Sequence, residues 1–157
     1  MPGAENNRFK ELIDGLKSNN REEKLLSVSA LGILGIKQHA EHLKDLVSSP
    51  DQEIVNQVVK ALGHIGNPAS VKHIVEFVRS DNAQLAETAY QALGNFDFSA
   101  ALDVVIKACS NDQPPAIRRR LLELLTAYDD VRVASLMNEI LGQTRDPDLL
   151  ATSVGYF

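Results

Sequence analysis

The sequence has no tryptophan, a single cysteine and few aromatic residues, and each shortage excludes something. One cysteine, Cys109, excludes an internal disulfide and is typical of a reducing compartment. Because aromatic residues make up only 5% of the chain, the interior must be mainly aliphatic. No apolar run is long enough to cross a membrane, and the polar N-terminus lacks the apolar segment of a secretion signal. We therefore expect a cytoplasmic protein without membrane contact.

Positive charge is also scarce. The chain carries 16 Lys and Arg against 21 Asp and Glu, and the net charge of −5 falls entirely within residues 81–157. A protein that binds the phosphate backbone of a nucleic acid needs a basic stripe on its surface. We expect no nucleic-acid partner.

What the sequence does contain is an internal repeat. The tripeptide Ala-Leu-Gly begins at Ala30, Ala61 and Ala92, a spacing of 31 residues, and a related segment begins at Leu124. Each tripeptide belongs to a stretch whose apolar residues recur with helical spacing. A period of this length indicates a repeat architecture in which every unit is one small supersecondary motif.

A second helical pattern follows each of these segments. Ala40, Leu43 and Val47 have the i, i+3, i+7 spacing of one buried stripe, and similar sets recur in the later repeats. Residues that favour helix N-caps separate the segments; they are Asn20, Asp51, Asn67, Asp81 and Asp146. Gly35 and Gly66 stand where a helix must end. Each repeat is therefore predicted to be two antiparallel helices, called A (with Ala-Leu-Gly) and B.

Helix pairs of this length, with Ala-Leu-Gly at the end of helix A and Pro-Asp or Asp-Pro-Asp before the next, resemble the HEAT repeat family. They are most similar to the short bacterial HEAT-like repeats that also occur in phycobilisome lyase subunits. The resemblance implies an all-α solenoid of about four stacked antiparallel helix pairs, with the B helices on its concave side. Such modules serve as scaffolds, adaptors, transport receptors and lyase subunits.

The repeat register predicts a single domain over residues 1–157. It consists of a first helix at 8–18, repeats at about 20–49, 51–80, 81–110 and 112–144, and a partial repeat at 146–157. Tyr156 and Phe157 align with core positions of the earlier A helices. We therefore expect the chain to be the N-terminal part of a longer protein, and its last helix to be mobile or to associate with another copy.

Few side chains could carry chemistry. His39, His42 and His73 recur on the B helices, but a metal site needs three or four converging ligands and their spacing does not supply them. Cys109 replaces a valine of the repeat and is interpreted as a core residue. No nucleotide-binding or hydrolase motif is present. We predict no catalytic residue, no cofactor and no metal, and hence a protein that is not an enzyme.

One dense basic run, Arg118 to Arg120, lies in the first half of a predicted A helix. Cations near a helix N-terminus oppose the helix dipole and need compensation. An inter-repeat salt bridge is the preferred interpretation, with Asp97, Asp129 or Asp130 as partner. The alternative is a site for a phosphate or an acidic peptide.

The face of the B helices opposite their buried stripe is the predicted binding surface. The predicted protein-binding residues on it are Glu41, His42, Lys72, His73, Glu76, Asp103, Val104, Lys107 and Leu136. One row along this face alternates in charge, from Lys10 through Glu41 and Lys72 to Asp103, and predicts a ladder of salt bridges. A neighbouring row becomes apolar at Val104 and Leu136, which favours a docking stripe.

Three functions remain open at this point. The first is a protein-interaction scaffold that binds a partner protein, or a downstream domain of the same chain, on the B face. The second is a subunit of an enzyme resembling the phycobilin lyases, for which the sequence offers only His42, His73 and Tyr90. The third is a HEAT-like nucleic-acid-binding domain, which the charge disfavours.

Overall fold

The computed structural model describes residues 2–97, 101–109 and 113–157, and the side chains of these residues from Asn7 onward. In these ranges the regular structure is helical throughout, with no strand. None of the described helices is long and apolar enough to cross a membrane. The all-α class predicted from the sequence is confirmed.

Ten α-helices follow one another along the described ranges. They are α1 (Pro2–Leu16), α2 (Arg21–Leu34), α3 (Ala40–Leu43), α4 (Gln52–Ile65), α5 (Val71–Ile74), α6 (Ala83–Gly94), α7 (Leu102–Ala108), α8 (Pro115–Leu125), α9 (Val131–Gln143) and α10 (Pro147–Gly155). The even-numbered helices are the predicted A helices, and the odd-numbered ones are the predicted B helices. The predicted repeat boundaries at residues 110 and 112 lie outside the described residues.

Two B helices are less regular than predicted. Helix α3 is a single α-helical turn between 3-10 turns at Lys37–His39 and Lys44–Ser48, and α5 lies likewise between Pro68–Ser70 and Val75–Arg79. Helix α1 also differs, because it begins at Pro2 rather than at residue 8. Residues 2–7 are polar or small, so hydrophobic periodicity gave no sign of this extra length.

Polar caps begin the helices at the repeat boundaries. Asn20, Asp51 and Asp146 each accept hydrogen bonds from two backbone N–H groups of the following turn, as predicted. The prediction of Asp81 is wrong, because Asn82 makes these bonds with Gln84 and Leu85 and α6 begins one residue later. At each of these four boundaries a Ser or Thr hydroxyl two residues before the cap accepts from the backbone N–H of the cap residue.

Glycines end two of the A helices. Gly35 and Gly66 have φ values of 63° and 65°, the left-handed conformation that residues other than glycine rarely adopt. Each donates its backbone N–H to the carbonyl four residues earlier, Leu31 and Leu62 respectively. The predicted helix ends at these two glycines are confirmed.

The contacts group into two compact units, the first running to Phe96 and the second beginning at Asp97. A single domain over residues 1–157 stays a prediction. In the first unit α2, α4 and α6 lie side by side, and the Leu residue of each Ala-Leu-Gly segment is completely buried. In the second unit α8 contacts α7 and α10, and α9 also packs on α10.

Small residues let the A helices of the first unit approach closely. A Cβ atom built on Gly32 would lie 2.8 Å from Cβ and 2.9 Å from Cα of Ala61. The same contact recurs one repeat later, where a Cβ on Gly63 would lie 2.7 Å from Cβ and 2.8 Å from Cα of Ala92. The Gly and Ala of the repeated tripeptide therefore pack against each other between successive repeats, backbone against backbone.

Candidate protein-binding surface

The predicted B-face residues of the first unit are mainly solvated charges. Glu41, His42, Lys72 and Glu76 are exposed, and His73 is half-buried. The predicted charge ladder is not formed as expected, since Glu41 pairs with Lys44 of its own repeat. That hydrogen bond and ion pair lower the pKa of Glu41, and the positive charges of Lys72 and His73 contribute less. Exposed pairs of this kind add little stability.

The first two B-face histidines contact an aromatic ring. His39 stacks on Phe9 of α1 with ring centroids 4.0 Å apart, and His42 meets the same ring edge-on at 5.8 Å. Burial, and secondarily the charge of His42, lowers the pKa of His39. Among the described residues no group of three His, Cys, Asp or Glu side chains converges as metal ligands would. These histidines therefore hold α1 against the first repeat.

In the second unit the B face carries a charged cluster. Asp103 is exposed and forms an ion pair with Arg132 at 2.9 Å, 29 residues along the chain. Arg132 also pairs with Asp130 at 2.8 Å, and this hydrogen-bonded pair lowers the pKa of Asp130 to about 2. Lys107 is exposed. Asp103 thus forms an inter-repeat salt bridge on this face, as predicted, but its partner is Arg132.

The predicted docking stripe has two apolar side chains in the second unit. Val104 of α7 and Leu136 of α9 are each half-buried. Part of the surface of each side chain is thus already covered, which leaves less for a partner to bury. Their role in binding stays a prediction.

The middle residue of the basic run on α8 forms an inter-repeat salt bridge, but with a different acid from those predicted. Arg119 pairs with Asp148 of α10 at 3.1 Å, whereas Asp97, Asp129 and Asp130 were expected. An equivalent pair links the first two A helices, from Arg21 to Asp51 at 2.6 Å. In both, an Arg near the start of one A helix reaches a carboxylate at the start of the next, where a negative charge also favours the helix dipole.

The neighbouring Arg118 has a structural role. Its side chain is buried, and its Nε donates a hydrogen bond to the carbonyl oxygen of Cys109 at 3.0 Å. A buried guanidinium aimed at a backbone carbonyl ties the end of α7 to α8. Burial of the Cys109 thiol raises its pKa to about 12, in keeping with its predicted place in the core.

The largest exposed apolar side chains of the first unit lie on an A helix. Leu26 is 71% exposed and Ile33 is 80% exposed, and both belong to α2. They are seven residues apart, so they share one face, two helical turns from each other. Val28 and Leu31, on the opposite side of α2, are completely buried. Helix α2 therefore carries large apolar side chains on both sides, and only those on one side are covered.

Grooves run on either side of the neighbouring helix α4. The first, about 150 Å³, lies between α2 and α4 and is lined by Ser29, Gly32, Ile33, Gln57, Lys60, Ala61 and His64. The second, about 210 Å³, lies between α4 and α6 and is lined by Asn56, Gln57, Lys60, His64, Gln84, Thr88, Gln91, Ala92 and Asn95. We call Leu26, Ile33 and these two grooves the A surface of the first unit.

The A surface changes in character from helix to helix. Helix α2 contributes apolar side chains, and α4 contributes the exposed Lys60 and His64. Helix α6 and the residue that caps its end contribute the neutral amides Gln84, Gln91 and Asn95. Asn56 is buried at the base of the second groove, where its Oδ1 accepts a hydrogen bond from Thr88 at 3.0 Å. The first groove therefore has an apolar rim at Ile33, whereas polar side chains line most of the second.

A family model of HEAT repeats matches the chain twice, over residues 9–87 and 73–154. The chain belongs to the HEAT repeat family. This confirms the resemblance predicted from the Ala-Leu-Gly segments, and with it a fold of stacked helix pairs. No curated protein matches the sequence.

Solved structures share the HEAT-like solenoid fold at low identity. An engineered protein from the Northeast Structural Genomics Consortium matches with a TM-score of 0.58 and 16% identity, over 93% of this chain and 76% of its own. The complex of CpcE and CpcF of phycocyanin lyase from Nostoc sp. PCC7120 matches with a TM-score of 0.55 and 16% identity, over 94% of this chain and 96% of its own. A designed armadillo repeat protein in complex with the peptide (KR)4 matches with a TM-score of 0.54 and 12% identity, over 92% of this chain and 78% of its own.

The last HEAT repeat leaves one aromatic side chain partly covered and the other exposed. Tyr156 is half-buried, with its hydroxyl donating to the carbonyl oxygen of Tyr128 at 2.9 Å, and Phe157 is 69% exposed. The buried positions of α10 are instead Leu149 and Ser153. Helix α10 ends at Gly155, before both aromatic residues, and the expected mobility or self-association of this helix stays a prediction.

Sequence reasoning missed the A surface entirely. The predicted binding surface lay on the B helices. The signal was nevertheless present, because Leu26 and Ile33 stand where the next two repeats have Gln57 and His64, then Thr88 and Asn95.

Proposed function

We propose that this HEAT repeat protein is an interaction module that binds another protein through the A surface of its first unit. The observation that carries the proposal is the exposure of Leu26 and Ile33 beside a groove. Fully burying such a side chain contributes roughly 1.5–3 kcal/mol, which makes the pair suitable as anchors for a partner. Large apolar side chains grouped on one face and rimmed by polar residues are typical of interaction sites.

The B face supports this role less strongly. Its exposed groups in the first unit are charged, and charges on a rim influence association rate and specificity more than affinity. Its two apolar residues, Val104 and Leu136, are half-buried and so have less apolar surface to offer a partner. We retain the B face as the competing docking surface for the same general function.

The proposal includes the absence of catalysis, of a cofactor and of a nucleic-acid partner. Several shifted pKa values have structural causes: Arg132 lowers the pKa of Asp130, Lys44 lowers that of Glu41, and burial raises that of Cys109. Active sites, in contrast, concentrate such shifts in a cleft. Lys60 is the lysine that lines the grooves of the A surface. A nucleic-acid interface needs many more cations than this.

A lyase-like role in handling a tetrapyrrole ranks second. Its support is the shared fold with a phycocyanin lyase complex, and fold alone does not transfer an activity. Incubation with a bilin, followed by visible absorbance, distinguishes the two functions. A shifted, protein-bound bilin spectrum would favour the lyase-like role.

The experiment for the leading proposal compares captured partners from a native lysate of the source cells. The test variant is Leu26→Glu/Ile33→Glu, and the matched control is the B-face variant Glu76→Lys/Lys107→Glu. All four side chains are exposed, so each substitution should change stability by less than about 0.5 kcal/mol, as circular dichroism will verify. We expect the A-surface variant to lose a partner that wild type and the B-face variant retain.

Two outcomes would contradict this proposal. Loss of the partner only in the B-face variant would return the docking site to Glu76, Lys107 and their neighbours. Retention of every partner in both variants would show that neither surface carries the interaction.

A further inference from the structure

We infer that the occupant of the A surface is an amphipathic helix of a different protein, with acidic residues on the flank that faces Lys60 and His64. This inference rests on the proposed function and specifies the chemistry of the partner. It follows from the spacing of the apolar side chains on α2, the shape of the first groove and the charge of its far wall.

The apolar side chains on α2 have the spacing of a helix-packing stripe. Leu26, Ala30 and Ile33 stand at i, i+4 and i+7, with the small Ser29 beside them. The two large residues are about 10.5 Å apart along the helix axis, at 1.5 Å per residue. Large side chains separated by small ones receive the side chains of another helix between them. A partner helix lying along α2 would cover Leu26 and Ile33 together.

The groove beside this stripe has a floor of small residues. Gly32 and Ala61 are packed so closely that α2 and α4 nearly touch, and Ser29 completes the floor. Ile33 stands on one wall, and Lys60 and His64 stand on the other. An apolar side chain of the partner can therefore enter the groove between Ile33 and the aliphatic stem of Lys60, while a neighbouring side chain meets the Lys60 ammonium.

The charge of the far wall calls for a carboxylate. Lys60 and His64 are one turn apart on α4, and both are exposed. The remaining residues that line the groove are neutral: Ser29, Gly32, Ile33, Gln57 and Ala61. The nearest acid of α4, Glu53, lies two turns before Lys60, at the opposite end of the helix. A partner with Asp or Glu on this flank is thus electrostatically complementary, and one with Lys or Arg is repelled.

A second copy of this chain fits less well. Antiparallel pairing of two α2 stripes would place the symmetry axis between Ser29 and Ala30, halfway between Leu26 and Ile33. One repeat further on, the equivalent position on α4 lies between Lys60 and Ala61. The two Lys60 side chains would therefore meet each other across the axis, and like charges in contact destabilise an interface. A different protein avoids this repulsion.

The test uses two synthetic helical peptides as probes. Both are 18-residue, lactam-bridged, Ala-rich helices with Leu at i, i+4 and i+7. One carries Glu along one flank of the Leu stripe, and the other carries Lys at the same positions. Binding to the full chain is followed by fluorescence anisotropy, and the contacted residues are mapped by backbone amide NMR signals.

We expect the Glu peptide to shift signals of α2 and α4 and to bind at least five-fold more tightly than the Lys peptide. The Lys60→Glu variant should reverse this preference, and Lys60→Gln should abolish it. The Leu26→Glu/Ile33→Glu variant should lose both peptides. The matched control Lys72→Glu, on an exposed B-face lysine, should leave the preference of the wild type unchanged.

Several results would overturn the inference: absence of binding by either peptide, equal binding of both, or a preference that Lys60→Glu leaves in place. A concentration-dependent dimer in analytical ultracentrifugation, disrupted by Leu26→Glu/Ile33→Glu, would assign the surface to a second copy instead. The two peptides could also bind equally while Leu26→Glu/Ile33→Glu still loses its partner in the lysate capture described above. The proposed function would then stand, and only the class of occupant would be wrong.

Discussion

The glycine of the repeated tripeptide permits a direct test of how tightly the A helices pack. Gly63 lies inside α4, where replacing glycine by alanine ordinarily stabilises a helix by about 1 kcal/mol. At this position, however, the new Cβ would lie 2.7 Å from Cβ and 2.8 Å from Cα of Ala92. Since a backbone atom is one of the neighbours, no side-chain rotation relieves the contact, and α4 and α6 must separate.

We therefore expect Gly63→Ala to destabilise the protein although it improves helix propensity. Overpacking of a core typically costs about 1–3 kcal/mol, and the separation also loosens the contacts along both helices. Subtracting the gain in propensity leaves a net loss of up to roughly 2 kcal/mol. Gly142→Ala is the matched control, because Gly142 lies within α9 and a Cβ there meets no atom within 4 Å. That substitution should stabilise the protein by up to about 1 kcal/mol.

Urea unfolding followed by circular dichroism at 222 nm measures both effects. The midpoint should fall for Gly63→Ala and rise for Gly142→Ala, each relative to wild type. If Gly63→Ala raised the midpoint as much as its control does, α4 and α6 would not be in backbone contact, and the packing of the A helices described above would be refuted.

Three further predictions concern the core and pH. Leu62→Ala should lower the free energy of unfolding by about 2–5 kcal/mol, because Leu62 is completely buried; a loss below about 1 kcal/mol in urea melts would contradict the repeat register. The Cys109 thiol, whose pKa burial raises to about 12, should react with a disulfide reagent at pH 8 only on unfolding, and rapid labelling of the native protein would disprove its burial. Because burial lowers the pKa of His39 below its unfolded value, its neutral form favours folding, and stability should decline as pH falls below about 6.5. Urea midpoints at pH 7.5 and 5.5 should show a smaller pH effect in His39→Gln; an equal effect in both proteins would assign it to other groups.

The repeat architecture could be predicted because each of its physical requirements leaves a mark on the sequence. Leu31, Leu62 and Leu93 recur at one spacing since each fills the same place in the core, and all three are completely buried. Left-handed helix ends require glycine, which identified Gly35 and Gly66. These constraints are local and periodic, so one sequence reveals them without any alignment.

The two wrong predictions have different causes. Asp81 and Asn82 are both good caps, and only the Ser80 hydroxyl, which accepts the N–H of Asn82, distinguishes them. A Ser or Thr stands two residues before the capping Asp or Asn at four repeat boundaries. This local pattern would have identified Asn82 as the cap. The partner of Arg119 was missed because the sequence indicates a need for a carboxylate without indicating which of several acids lies within reach.

The A surface could not be predicted from the repeat because it is where the repeats differ from one another. Leu26, Gln57 and Thr88 occupy one position at a spacing of 31 residues, and Ile33, His64 and Asn95 occupy another. The fold accepts all these side chains at the same backbone positions, so the core does not dictate any of them. At these positions the exposed Leu26 and Ile33 contribute no more to folding than Gln57 and His64 do one repeat later. The free energy that they offer is released only when another surface covers them, and this is the physical reason for placing the interaction on α2.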